Sequence, residues 1–179
     1  MTGKTHAIIG ANAAWLALLG DVPPTHLILF LIAGTIAGLL PDIDAQSAKI
    51  HHIGGGVLGI FGGAFQHRGF FHSVLATIIV LAVSFWFLKD FDVLLPFVIT
   101  LGYASHLLID GCNFKATRYL FPLRREDHLV PKWLASPVGG ATDQLLFVFG
   151  GLGLLFFLFL QVLPLVQTGL SFGSFGVMQ

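Results

Sequence analysis

Charge is what this sequence has least of. Nine Lys/Arg and nine Asp/Glu make up 10% of 179 residues, against about 25% in soluble domains. That leaves too few polar side chains for an ordinary water-facing surface. The formal net charge is zero, so bulk electrostatics indicate no nucleic-acid partner. Only one cysteine is present, Cys112, which excludes an internal disulfide. A lone thiol beside polar residues reads as a small packing side chain rather than a nucleophile. What is abundant is apolar: 55% of residues are hydrophobic, and mean hydropathy is +0.87. Long apolar runs on this background place the chain among integral membrane proteins. The length suits one membrane-embedded helical domain over 1–179.

The expected fold is all-α: a polytopic membrane bundle of about five transmembrane helices plus a glycine-rich re-entrant or interfacial loop. Ala7 to Gly20 is apolar and reads as an uncleaved first helix, since no small-residue cleavage site follows it. Asp21-Val22-Pro23-Pro24 turns the chain, and Thr25 to Leu40 forms the second helix. Its 16 residues reach only about 24 Å, short of a ~30 Å hydrocarbon core. The glycine-rich stretch Ile53–Phe65 is too short and too loose to span. Phe70–Leu88 and Val93–Ile109 are the next spans, joined by Lys89-Asp90-Phe91-Asp92. Gly111–Asp143 is the long polar segment, and Leu145–Val166 is the last span.

This path predicts a topology. With the N-terminus on side one, the helices deliver Asp42 and Asp44, then His67 and His72, then His106 and Asp110 to that same side, where His6 already lies. Side one also receives Lys4, Lys49, Arg68, Lys115, Arg118, Arg124, Arg125 and Lys132, against Lys89 alone on side two. That asymmetry makes side one cytoplasmic. His26 falls on side two and reads as structural. His51, His52 and His128 read as surface residues.

The polar groups at the helix ends are costly in lipid unless they bind something. His106 and Asp110 are four apart, which on a helix puts imidazole and carboxylate on one face. A buried ion pair or a helix-end cap is the plain alternative for that pair alone. Asp42 and Asp44 stand together at a helix C-terminus, where the macrodipole disfavours them and each repels the other unless a cation intervenes. A solvated loop is the alternative there. His67 and His72 flank a helix start beside Arg68. Mixed nitrogen and oxygen ligands suit Zn²⁺, with Mn²⁺ or Fe²⁺ as alternatives, better than Ca²⁺ or Mg²⁺. The candidate ligands His6, Asp42, Asp44, His67, His72, His106 and Asp110 are enough for one or two ions.

Four stretches in order carry a family resemblance: Met-Thr-Gly-Lys-Thr-His at 1–6, Leu-Leu-Pro-Asp-Ile-Asp at 39–44, His-Arg-Gly-Phe-Phe-His-Ser at 67–73, and Gly-Tyr-Ala-Ser-His-Leu-Leu-Ile-Asp at 102–110. Over roughly 1–125 the chain resembles the YdjM family of bacterial and archaeal inner-membrane proteins, described as metal-dependent hydrolases. Cys112, Asn113 and Ala116 depart from the pattern expected after Asp110. More loosely, the metal set is similar to part of that in zinc-dependent phospholipase C and P1-type nucleases. A second late His-x-x-x-Asp and the N-terminal Trp of those enzymes are missing here, which implies fewer ions.

Together these features predict a phosphoester hydrolase at the cytoplasmic face of a bacterial or archaeal inner membrane. Its partners would be membrane lipids and a phosphoester substrate, lipid-linked if the site's placement serves the substrate. Asp42 or Asp44 would act as base and Arg68 would grip phosphate. A metal-stabilised scaffold or regulator is the non-catalytic rival. A metal transporter is a weaker one, since transporters bind near the midplane.

Overall fold

A computed structural model describes residues 1–20, 22–44, 70–115, 117–123, 129–131 and 135–175, with side chains to 164 except those of residues 24, 43 and 44. Among them are five α-helices and no strand, the only sheet-like pairing being an isolated bridge between Asn113 and Ser136. Helix α1 is Gly3–Ala11, α2 Pro24–Leu39, α3 Val74–Leu88, α4 Leu95–Asp110 and α5 Ala141–Phe175.

Local chemistry sets the boundaries. Helix α1 tightens to a 3-10 segment at Asn12–Leu19. There the Asn12 amide donates to the Ile8 carbonyl at 2.8 Å and across to the Gly150 carbonyl of α5 at 3.0 Å. Short polar side chains compete with the helix ladder in this way. Pro24 opens α2, where its missing N–H costs nothing. Another 3-10 turn, Leu40–Asp44, continues α2. The span expected from Phe70 divides in two: Phe70–His72 is a 3-10 turn, and Ser73 then starts α3 afresh by accepting from the Ala76 amide at 3.1 Å. That is an N-cap. Before α5 the chain turns at Gly139, whose φ of +78° is rare for any residue with a side chain.

Helices α1, α2 and α4 pack through glycine. A Cβ on Gly10 would strike the Gly34 carbonyl, one on Gly34 would strike the Gly10 carbonyl, and one on Gly102 would come within 2.7 Å of the Gly34 carbonyl. Small residues are the usual means by which helices approach closely in lipid. Ala14, Ala17, Phe30, Leu95, Val98 and Phe157 form the core near the far end. There His26 Nδ1 meets Asp92 Oδ2 at 2.6 Å, tying α2 to the α3–α4 loop.

The outward faces are also apolar, with Ile28, Ile32 and Ile36 of α2 and Phe149, Leu152 and Phe156 of α5 all exposed. Helices apolar on every side belong in a protein interior or in lipid. Thr25–Asp42 and Ala141–Pro164 are long and apolar enough to cross a bilayer, whereas Val74–Leu88 and Leu95–Asp110 are apolar but shorter. Ile53–Phe65 lies outside the described residues.

Candidate metal centre

Five of the expected ligands meet at one end of the bundle. His6 comes from α1, Asp42 from the 3-10 turn after α2, His72 from the turn before α3, and His106 and Asp110 from the last turn of α4. Each is placed by a local device. A Cβ on Gly38 would stand 2.6 Å from the His6 carbonyl, so the glycine lets α1 and α2 close around the centre. The Gly38 carbonyl also accepts from His106 Nδ1 at 2.7 Å. A carbonyl can only accept, so Nδ1 carries hydrogen and the neutral ring keeps its lone pair on Nε2. The His72 turn is held to α4 because the Tyr103 hydroxyl donates to the Phe71 carbonyl. Tyr119 braces it by accepting from the Val74 amide and donating to the Leu107 carbonyl, both at 2.9 Å.

The side chains of His6, His72, His106 and Asp110 are at most 2% exposed, whereas Asp42 is 34% exposed and forms the open side. His72 Nε2 lies 3.7 Å from Asp42 Oδ1 and 3.8 Å from Asp110 Oδ2. His106 Nε2 lies 3.6 Å and 4.0 Å from the same two oxygens. His6 Nε2 is 3.3 Å from Asp110 Oδ1 without hydrogen-bond alignment, and His6 Nδ1 and His106 Nε2 have no hydrogen-bond partner among the described residues. Buried polar atoms are rarely left so, at about 1–3 kcal/mol each.

These separations suit ligands around an ion. Atoms held ~2.0–2.1 Å from a tetrahedral centre lie roughly 3.3–3.4 Å apart. Across an octahedron they lie about 4.2 Å apart. The distances above fall in that interval, beyond ordinary hydrogen bonds. The candidate ligand atoms of His6, Asp42 and His106 lie within 4.8 Å of one another, as do those of His72, His106 and Asp110. The donor set therefore fits a divalent cation of the Zn²⁺ type.

Asp44 ends its turn, but its side chain lies outside what is described, as do His67 and Arg68 entirely. Sequence reasoning missed three residues around the centre. Asn113 donates from Nδ2 to Asp110 Oδ1 at 2.9 Å, and the Met1 nitrogen contacts that oxygen at 2.6 Å. Asp143, 2% exposed, accepts from the Thr2 amide at 2.9 Å, the Gly139 amide at 2.7 Å and the Thr5 hydroxyl. It is thus shared between the starts of α1 and α5, where helix dipoles favour a carboxylate. Its signal was available, a lone Asp abutting an apolar run, as at Asp42. Burial pushes the Cys112 thiol pKa up, which makes it a poor nucleophile.

A family model described as YdjM inner membrane protein matches residues 1–172. The "Uncharacterized protein YvsG" of Bacillus subtilis (strain 168) is 30% identical over 123 residues, 68% of this chain and 74% of that one. The "Inner membrane protein YdjM" of Escherichia coli (strain K12) is 30% identical over 137 residues, 69% of this chain and 67% of its own length, and that of Shigella flexneri matches equally. No solved structure matches.

Proposed function

This chain belongs to the YdjM inner membrane protein family, and from that premise we propose that it is a metal-dependent phosphoester hydrolase working at the cytoplasmic membrane face. One observation carries the proposal: three imidazoles and two carboxylates from four separate elements converge, all but Asp42 buried, at spacings that suit an ion rather than hydrogen bonds. Without an ion, that convergence in an apolar setting is costly. The topology that goes with it is multi-pass, with five spans and an interfacial glycine-rich loop. Lys/Arg asymmetry supports the cytoplasmic placing of the site.

His6, His72, His106, Asp42 and Asp110 would hold Zn²⁺, Mn²⁺ or Fe²⁺, one or two ions. Such an ion supplies Lewis-acid polarisation of a phosphoryl oxygen and acidifies bound water. Asp42, on the open side, and its neighbour Asp44 divide the tasks of ligand and general base, the base taking the water proton. Arg68 grips a non-bridging phosphate oxygen through its planar fork. His106 keeps its reactive nitrogen inward through the Gly38 carbonyl.

A scaffold stabilised by a closed metal site is the rival reading. Its support is the near-complete burial of four of the five ligands. The experiment is a screen of purified protein against short-chain phosphomonoesters, phosphodiesters and phospholipids, with and without chelator. Turnover that chelator abolishes and Zn²⁺ or Mn²⁺ restores is expected. A chelator-sensitive, metal-loaded protein inert across the screen would turn the reading toward the scaffold.

A further inference from the structure

The segment from Gly111 to Asp143 is the polar part of this chain, yet Phe114, Leu120, Leu123 and Leu129 all stand exposed on it. Exposed apolar side chains gathered in this way mark a contact surface. Tyr119, Leu120 and Leu129 form one wall of a groove of about 470 Å³, and Thr77 of α3 with Ala104 and Leu108 of α4 form the other. That volume is in the range of a small-molecule site.

The lining decides what the groove can hold. The Thr77 hydroxyl turns back to the Ser73 carbonyl at 3.3 Å, and the Tyr119 hydroxyl donates to the Leu107 carbonyl. The remaining side chains of the lining are hydrocarbon. A polar occupant would lose its water there without replacement, whereas a hydrocarbon chain would gain by leaving water. In a chain that belongs to an inner membrane protein family, the hydrocarbon at hand is lipid.

The groove is also built into the frame of the metal centre. Its Tyr119 wall is tied to the Val74 amide, two residues past His72, and to the Leu107 carbonyl, next to His106. A Cβ on Gly111 would stand 2.5 Å from both Leu129 Cδ1 and the Tyr119 hydroxyl. The wall therefore rests directly on the end of α4 that carries Asp110. Along α4, Ala104, Leu107 and Leu108 form a stripe beside the one formed by His106 and Asp110. Ala104 lies about 9 Å along the helix from Asp110, so the groove leads from the level of the centre into the apolar length of the bundle.

Resting on the hydrolase reading above, we propose that this groove holds the acyl chain of a lipid phosphoester substrate whose phosphate lies at the metal centre. Another apolar groove, lined by Leu31, Ile32 and Leu158 among others, shares none of this frame. Its Ile32 lies roughly 15 Å along α2 from Asp42, which makes it the control.

The test reads binding rather than turnover. The full chain is placed in phosphatidylcholine vesicles with a little phosphatidic acid carrying a diazirine at the end of one acyl chain. After illumination the sites of attachment are mapped by mass spectrometry. Attachment around Leu108 and Leu120 is expected, displaced by excess unlabelled phosphatidic acid. It should fall about tenfold or more in Ala104→Trp and in Leu108→Trp, and stay unchanged in Ile32→Trp. Ala104→Trp fills the groove, and Leu108 is exposed, so Leu108→Trp narrows the mouth without loading the core. Attachment that excess phosphatidic acid does not displace, or that both groove variants leave intact, is bulk lipid and overturns the proposal. A dimer that hides Leu108 and Leu120 from the probe overturns it too. Metal content is measured on the same samples. Metal-bearing protein without groove attachment overturns the groove and leaves the hydrolase reading standing. Displaceable attachment to protein that takes up no metal supports the lipid groove and overturns the hydrolase reading on which its substrate role rests.

Discussion

At the scale of single residues, Asp143 shows how much one buried carboxylate can hold. It joins the first turn of α1, one residue from His6, to the turn before α5. Asp143→Ala strands the Thr5 hydroxyl and two backbone amides, so it should cost about 2–4 kcal/mol. Asp143→Asn keeps acceptors for part of this set and should cost less. Thermal unfolding of both variants in detergent checks the order, and equal Tm values for Ala and native protein would remove the anchor. Arg68→Lys addresses the phosphate side. Lysine keeps the charge and loses the two-point grip, so turnover should fall about tenfold or more with metal content unchanged. Full activity at saturating and subsaturating substrate would take Arg68 out of the site. The candidate ligands that the structure brings together were legible at this scale because His and Asp at apolar helix ends stand out in an apolar chain. Asp143 was legible only as a lone Asp abutting an apolar run, since its partners are far away in sequence and no spacing announces a hydrogen bond from Thr5 to position 143, and Asn113, three residues after Asp110, carries no mark of its role in its residue type alone.

Between elements, glycine decides how close the helices come. Gly38 lies against the His6 backbone and offers its carbonyl to His106. Gly38→Ala places a methyl 2.6 Å from the His6 carbonyl, and overpacking of this kind costs about 1–3 kcal/mol. Helix α1 should move away, taking His6 with it, so metal affinity should fall at least tenfold while α4 keeps its own ligands. Titration with a competing chelator measures this, and native affinity in Gly38→Ala would show that α1 does not need the contact. Element boundaries were less legible than element existence. The apolar run from Phe70 reads as one helix, yet the Ser73 cap sets His72 in a separate turn. The 3-10 segment Asn12–Leu19 was hidden because Asn12 acts through the Gly150 carbonyl of α5. The close packing of α1, α2 and α4 rests on scattered glycines, Gly10, Gly34, Gly38 and Gly102, and sequence alone does not say which glycines face one another.

For the whole molecule, membership of an inner-membrane protein family supports a membrane location, and the Lys/Arg asymmetry of the sequence motivates the proposed sidedness. With Cys112→Ser as background, a cysteine at exposed Val138 should react with impermeant maleimide only after cells are opened. Labelling in intact cells would reverse the topology. Over this architecture the central claim is that α1, α4 and the two turns meet in order to hold metal. The measurement that tests it most directly is metal content in native protein, His106→Ala and Asp110→Ala, each purified from membranes in equal yield. The account predicts stoichiometric divalent metal in the native chain and its loss, to less than about a tenth, in both variants. Unchanged metal in both, or a native chain that neither carries nor takes up Zn²⁺, Mn²⁺ or Fe²⁺, would contradict it.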